Sequence, residues 1–153
     1  MLRDIVDVRI QYADEHQGEL AREIRFARPY YYKEYDQYLT KSGEYRVNLS
    51  ELDSTFTPIE AMVILRKARF KTRYNTSRAA CAEDERFVRD IGEERLKYVY
   101  SNGRWTLKHT YFETFETAVE TDGKWVDADQ DIERFADEES PSVLRRVLGF
   151  FSI

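Results

Sequence analysis

The sequence predicts an α+β fold in which about four helices pack over a mainly antiparallel sheet. Two stretches of alternating apolar and polar residues predict an N-terminal hairpin and a C-terminal three-stranded meander. Apolar residues at helical spacing lie between these stretches and again after the second one. This order of elements is typical of helices that cover one sheet. A chain of 153 residues has the length of one domain, so we expect residues 1–153 to form a single unit.

Composition and charge exclude several classes of protein. The chain is 42% apolar, 35% charged and 14% aromatic, so it is neither fibrous nor of low complexity and should fold. Its one cysteine, Cys81, excludes an internal disulfide framework and a multi-cysteine zinc site. No apolar run is long enough to cross a bilayer, and Met1-Leu2-Arg3-Asp4 begins neither a signal peptide nor a lipidation motif. We therefore expect a soluble, cytoplasmic protein with no membrane contact, no metal and no cofactor.

The first 26 residues show the period-two alternation of a half-buried strand on both sides of a polar segment, residues 14–18. The apolar positions are Val6, Val8, Ile10, Tyr12, Leu20, Ile24 and Phe26. Because side chains at period two share one face of a strand, this pattern predicts an antiparallel hairpin.

Residues 30–38 hold five of the eleven tyrosines and fit two structures. Their three consecutive aromatic residues favour a strand, whereas the spacing of the later tyrosines also fits one side of a helix. Ser42-Gly43 then predicts a turn into a short strand. The apolar positions of that strand are Tyr45, Val47 and Leu49.

Two helices are predicted in the middle of the chain. Thr57-Pro58-Ile59-Glu60 has the pattern of a capping box with proline at the first helical position, and it predicts a helix that runs to about Thr72. The apolar positions of this helix are Ile59, Met62, Val63, Leu65 and Phe70. Asn75-Thr76-Ser77 predicts a break and a new N-cap, after which a second helix ends near Gly92.

Asn102-Gly103 predicts a tight type I′ turn, because both residues tolerate a positive φ angle. A two-residue loop fixes the register of the strands that flank it. The predicted pairs are Tyr100 with Trp105, Tyr98 with Leu107, and Leu96 with His109. The apolar residues change parity near Tyr111-Phe112, which predicts a β-bulge there. A second turn at Asp122-Gly123 leads into the third strand of the meander.

Residues 127–153 combine an acidic segment with an amphipathic helix that we expect to dock on the same domain. Residues 129–139 predict a short acidic helix, and Ser140-Pro141 predicts the start of the final helix. The apolar stripe of the final helix consists of Val143, Leu144, Val147, Leu148 and Phe151.

The tyrosine-rich segment supports the preferred functional hypothesis. Phenol rings combine a large apolar area with a polar tip, and they concentrate in recognition surfaces. We therefore expect a small, non-catalytic binding or regulatory domain that acts by protein–protein interaction, with a homodimer as one option. The partner-binding residues would be Tyr30, Tyr31, Tyr32, Tyr35 and Tyr38.

Two alternatives remain open. The basic segment 66–78 contains no acidic residue, and it could bind nucleic acid through cations and an aromatic ring. The residues of this alternative are Arg66, Arg69, Arg73, Tyr74 and Arg78. The other alternative is an enzyme or a small-ligand carrier with a pocket near His109, where an imidazole could lie beside a phenol. The residues of this pocket would be Trp105, His109 and Tyr111.

Overall fold

The computed structural model describes residues 1–50, 59–132 and 134–136. The elements in these residues are α1 (Leu2–Glu15), α2 (Gln17–Leu20), β1 (Arg25–Ala27), β2 (Tyr30–Tyr32), β3 (Glu34–Tyr38), β4 (Arg46–Ser50), β5 (Ile59–Thr72), α3 (Arg78–Glu83), β6 (Phe87–Ser101), β7 (Arg104–Thr121) and β8 (Lys124–Ala128). The structure is mostly antiparallel sheet with few helices, so the prediction of about four helices packed over the sheet is wrong.

A six-stranded antiparallel sheet is built around β5, β6 and β7, which are 14, 15 and 18 residues long. β8 pairs with β7, while β3 and β4 both pair with the other side of β5, at its C-terminal and N-terminal halves. β1 and β2 form a separate two-stranded sheet. We call the face of the large sheet that packs against α1 the helix face. It carries Ala61, Val63, Leu65 and Lys67 of β5 and their cross-strand neighbours.

The predicted N-terminal hairpin is wrong, because the chain begins with α1. The buried side chains of α1 are Leu2, Val6, Ile10 and Ala13, at the spacing of four, four and three residues that one side of a helix requires. Val8 and Tyr12, which a strand would place beside Val6 and Ile10, are 63% and 54% exposed. The alternating pattern was therefore accidental, since only every second member of it is buried. The buried residues of α1 pack against the apolar part of the helix face.

The helix predicted from Thr57 to Thr72 is also wrong. Its described part forms β5, in which Ala61, Val63 and Leu65 are buried and alternate with more exposed residues. β5 pairs with β6 over its whole length, and this long-range pairing outweighs the local capping pattern. Thr57 and Pro58 lie outside the described residues.

The second predicted helix exists but is shorter than expected. Ser77 caps α3, and its Oγ accepts a hydrogen bond from the backbone N–H of Ala80 at 3.1 Å. The helix ends at Glu83, and the residues from Phe87 onward belong to β6 instead of continuing the helix to Gly92.

The three-stranded meander is confirmed, with its turn at Asn102 (φ 55°) and Gly103 (φ 78°). The pairs Tyr100 with Trp105 and Tyr98 with Leu107 are confirmed as well. Beyond them the register shifts, so that Leu96 faces Thr110 and His109 faces Lys97. The cause is an extra residue of β7, Lys108, and a second shift near Gly92 makes Phe115 extra. The predicted single bulge at Tyr111-Phe112 is thus replaced by two bulges, one on each side of it.

After β8 the chain contacts the segment that follows β5. The backbone N–H of Tyr74 donates to the carbonyl of Arg134 at 2.7 Å, and the N–H of Ala136 donates to Tyr74 at 2.8 Å. The described residues 129–132 and 134–136 form no α-helix, in contrast to the acidic helix predicted there. The predicted final helix lies outside the described residues. None of the helices in the described ranges is both long enough and apolar enough to cross a membrane.

Candidate ligand-binding site

The apolar core of the helix face ends at Leu65, and the next side chain of β5 on that face is Lys67. The side chains of Lys67 and Glu94 are only 2% and 3% exposed. Glu94 lies opposite Leu65 on β6, so the two charged residues are diagonal neighbours across the strands. The ammonium of Lys67 donates to the carboxylate of Glu94, and it also donates to Asp36 Oδ2 on β3 at 2.9 Å.

Glu94 also receives hydrogen bonds from α1 and β3. The hydroxyl of Tyr38 donates to Glu94 Oε1 at 2.6 Å, and the Nε of Arg9 donates to the same oxygen at 3.4 Å. Arg9 Nε also donates to the Tyr38 hydroxyl at 3.0 Å. Glu94 is therefore the centre of an ionic cluster that joins α1, β3, β5 and β6.

The surroundings of the cluster favour the ionised form of Glu94 and the protonated forms of Tyr38 and Arg9. Burial alone would raise the pKa of Glu94, but the charges of Lys67 and Arg9, with hydrogen bonds from Lys67 and Tyr38, outweigh it and lower the pKa. Burial and the neighbouring Glu94 raise the pKa of Tyr38, so its hydroxyl stays a donor. Burial opposes the charge of Arg9, yet Glu94 and Tyr38 raise the pKa of its guanidinium overall.

A second group of charges continues from this cluster along the helix face. Glu34 contacts Arg25 Nη1 at 3.1 Å and Arg69 Nε at 3.0 Å. The ring of Phe112 lies beside two of these cations. Its centroid is 4.5 Å from Arg69 Cζ and 5.2 Å from Lys67 Nζ. Two buried atoms of this group, Arg69 Nε and Asp36 Oδ1, make no hydrogen bond to any described residue, although they form ion-pair contacts.

These residues border a cavity of about 430 Å³, which we call the charged cavity. It is lined by Arg9, Arg25, Glu34, Asp36, Lys67, Arg69, Glu94, Thr110, Tyr111 and Phe112. Four of the lining residues are cations and three are carboxylates, so the wall carries one excess positive charge. A second cavity of about 320 Å³, the side cavity, lies next to it beneath the end of α1 and beside β3. The side cavity shares Arg9, Arg25, Glu34 and Asp36 with the charged cavity.

The five tyrosines between residues 30 and 38 are each half-buried and contact other parts of the chain. Their ring contacts are with Tyr74 for Tyr30 and Tyr32, with Phe26 for Tyr31, and with Phe70 for Tyr35. Tyr38 belongs to the ionic cluster. The structure therefore does not gather these rings into one exposed patch. Exposed apolar side chains occur elsewhere, for example at Val8 and Tyr12 of α1.

Two arginines of the basic segment, Arg66 and Arg69, do not share a surface. Because β5 is a strand, Arg66 and Arg69 lie on opposite faces of the sheet. Arg66 is exposed, whereas Arg69 contacts Glu34 on the helix face. The other members of the predicted group follow β5, and they are Arg73, Tyr74 and Arg78.

The three residues of the predicted pocket are also separated. Trp105 packs against the apolar core on the helix face. The bulge at Lys108 places His109 opposite Lys97, where its side chain is exposed. Tyr111 alone of the three lines the charged cavity.

Four residues of the ionic cluster were not predicted from the sequence as site residues: Lys67, Glu94, Asp36 and Arg9. The available signal was the parity of Lys67, which follows the alternating residues Ala61, Val63 and Leu65. A cation at an inward position of a strand is a marker of a site, because charged residues are almost never fully buried without a partner.

Across residues 1–50, 59–132 and 134–136, no three His, Cys, Asp or Glu side chains are arranged to hold a metal ion. The chain matches no protein-family model, no curated protein and no solved structure in comparisons with each.

Proposed function

We propose that this chain is a binding domain for a small molecule with one negatively charged group, and that the charged cavity is the binding site. The observation that carries the proposal is the charge of the cavity wall, where four cations face three carboxylates. An anionic group would balance the excess charge. Arg69 lines this cavity, and its guanidinium is the group that we expect to pair with the anion.

The energetics of burial favour a binding role for these charges. A buried ion pair is often no more stabilising than apolar residues of the same volume, because both ions lose their hydration. The same face of the sheet is apolar from Ala61 to Leu65, so apolar packing was available at the position of Lys67 as well. Seven charged residues around one cavity are therefore poorly explained by stability alone.

The pKa directions support binding by fixed charges over proton transfer. A group that transfers protons works best with a pKa near the ambient pH. In this cluster the pKa of Glu94 is lowered and the pKa of Tyr38 is raised, which moves both groups away from neutrality. Such groups keep a constant charge, as recognition of an anion requires.

The proposal is tested by substituting two arginines of β5 that lie on opposite faces of the sheet. Acetate and inorganic phosphate are titrated into the protein by calorimetry, and the melting temperature is measured with sodium chloride at equal ionic strength as the reference. We expect at least one of the two anions to bind and to raise the melting temperature, since a ligand that binds only the folded state stabilises it. Arg69→Gln should weaken binding at least tenfold, while Arg66→Gln, on the opposite face, should leave it unchanged.

Two results would overturn the proposal. One is the absence of binding by either anion beyond the effect of sodium chloride. The other is an equal loss of affinity in Arg69→Gln and Arg66→Gln, because a general effect of net charge would then explain the binding.

A further inference from the structure

We infer that the ligand is an amphipathic monocarboxylate whose carboxylate lies in the charged cavity and whose apolar part lies in the side cavity. This inference rests on the proposed function and specifies the class of ligand.

The side cavity differs from the charged cavity in its apolar wall. Besides the four charged residues that it shares, it is lined by Tyr12, Ala13, Leu20, Tyr35 and Tyr38. Tyr12 and Tyr38 contribute aromatic rings, and Ala13 and Leu20 contribute aliphatic side chains, so this wall favours an apolar chain or ring. Its volume of about 320 Å³ is large enough for several methylene groups.

The boundary between the two cavities consists of charged residues. Arg9, Arg25, Glu34 and Asp36 line both cavities, and Arg25 pairs with Glu34 at 3.1 Å. The side chain of Arg25 is 37% exposed. Ion pairs with this much exposure contribute little stability, so the Arg25 side chain can move without much loss. One molecule could therefore extend from one cavity into the other, with its anionic end beside these arginines.

The size of the charge favours a carboxylate over a phosphate. The wall of the charged cavity has an excess of one positive charge. A carboxylate balances this excess, whereas a phosphomonoester carries a charge of about −1.5 to −2 at neutral pH and would leave negative charge buried. A guanidinium such as that of Arg69 also matches the planar carboxylate with paired N–H donors.

The length of the ligand's apolar part, which we call its tail, should determine its affinity. Each methylene group that leaves water raises affinity by about fourfold. Hexanoate has the same head group as acetate but a longer chain, so we expect it to bind at least tenfold more tightly. Hexylamine has a comparable chain with the opposite charge, and we expect it not to bind. Calorimetric titration of the full chain with acetate, hexanoate and hexylamine measures these differences.

A matched pair of leucine variants locates the tail. Leu20→Trp fills the side cavity, and Leu49→Trp places the same ring at an exposed position that lines neither cavity. We expect Leu20→Trp to reduce the advantage of hexanoate over acetate to less than about threefold while acetate binding is retained. Leu49→Trp should behave as the unchanged protein does. If Leu20→Trp does not fold, the methyl resonances of Leu20 serve instead, since they should shift with hexanoate and not with acetate.

The outcomes separate this inference from the proposed function. If acetate binds and hexanoate binds no more tightly, or if Leu20→Trp keeps the full advantage of hexanoate, the inference is overturned and the anion site stands. If phosphate binds more tightly than both carboxylates, the assignment of the head group is overturned. If none of the anions binds, the proposed function fails and the inference fails with it.

Discussion

Lys67 and Glu94 form an ion pair between neighbouring strands, and neither side chain is more than 3% exposed. The pair lies where the apolar core of the helix face gives way to the charged cavity. Each residue compensates for the buried charge of the other. Removing one of them leaves an uncompensated ion in the interior, whereas removing both leaves only the charges of Asp36 and Arg9, whose side chains are more exposed.

This arrangement predicts strong coupling between the two residues. Lys67→Met and Glu94→Gln should each lower the free energy of unfolding by about 3–5 kcal/mol, the usual range when one partner of a buried pair is removed. The double variant should lose clearly less than the sum of the two single losses. Urea denaturation of all four proteins measures the cycle. Additivity to within about 0.5 kcal/mol would show that the pair is not coupled and would contradict the buried geometry.

The lowered pKa of Glu94 predicts how stability depends on pH. Burial opposes ionisation of Glu94, but Lys67, Arg9 and Tyr38 favour it, so its pKa in the folded chain lies below the ordinary value of 4.5. The unfolded chain therefore binds a proton at higher pH than the folded chain does. The stabilisation is fully present above about pH 4.5 and is lost as the pH falls through the folded-state pKa.

Glu94→Gln tests this pH dependence, because it removes the titrating group and keeps the shape of the side chain. The difference in unfolding free energy between the unchanged protein and Glu94→Gln should be constant between about pH 5 and 7 and should shrink at lower pH. Urea denaturation across this pH range provides the measurement. A difference that grows as the pH falls would mean that the pKa of Glu94 is raised in the folded chain.

Gly92 lies opposite Lys67 on β6, next to the bulge at which Phe115 is the extra residue. A Cβ at this position would lie 1.9 Å from the backbone carbonyl oxygen of Glu113, so β7 can approach this closely only if residue 92 has no side chain. Gly92→Ala should lower the free energy of unfolding by about 3 kcal/mol, because the obstacle is backbone and cannot rotate away.

Gly18→Ala is the matched control for Gly92→Ala. Gly18 lies in α2, and its Cβ would meet only the flexible side chain of Arg22 at 3.7 Å. Alanine at a helical position should stabilise the chain by about 0.5–1 kcal/mol. Thermal unfolding of both variants provides the comparison. Equal effects of the two substitutions would exclude the close contact between β6 and β7.

The meander could be predicted from the sequence because its strongest signal is local. Asn102-Gly103 sets the positive φ angles of the turn, and the two pairs nearest the turn follow from it. The register farther away could not be predicted, because the extra residue Lys108 is set by pairing with β6 and has no signature of its own. A single extra residue moves His109 to the other face, and the expected pocket near it is lost.

The ionic cluster could be predicted only in part, because its members meet through long-range pairing. If β5 is taken as a strand, its parity places Lys67 on the face of Val63 and Leu65. The partners Glu94 and Asp36 come from two other strands, and Arg9 comes from α1. The capping pattern before Glu60 favoured a helix at β5, and in a helix Lys67 would have counted as a solvated charge. The site was therefore not predicted, because β5 was predicted as a helix.

The N-terminal helix gives the most direct test of the corrected fold. Val6 is fully buried and Val8 is 63% exposed, although a strand would place both side chains on one face. Val6→Ala removes two buried methyl groups and should lower the free energy of unfolding by about 2 kcal/mol. Val8→Ala should change it by less than about 0.5 kcal/mol, as surface substitutions do. Chemical denaturation of the two variants distinguishes the structures: equal losses would support the hairpin, and a large loss at Val6 alone supports α1.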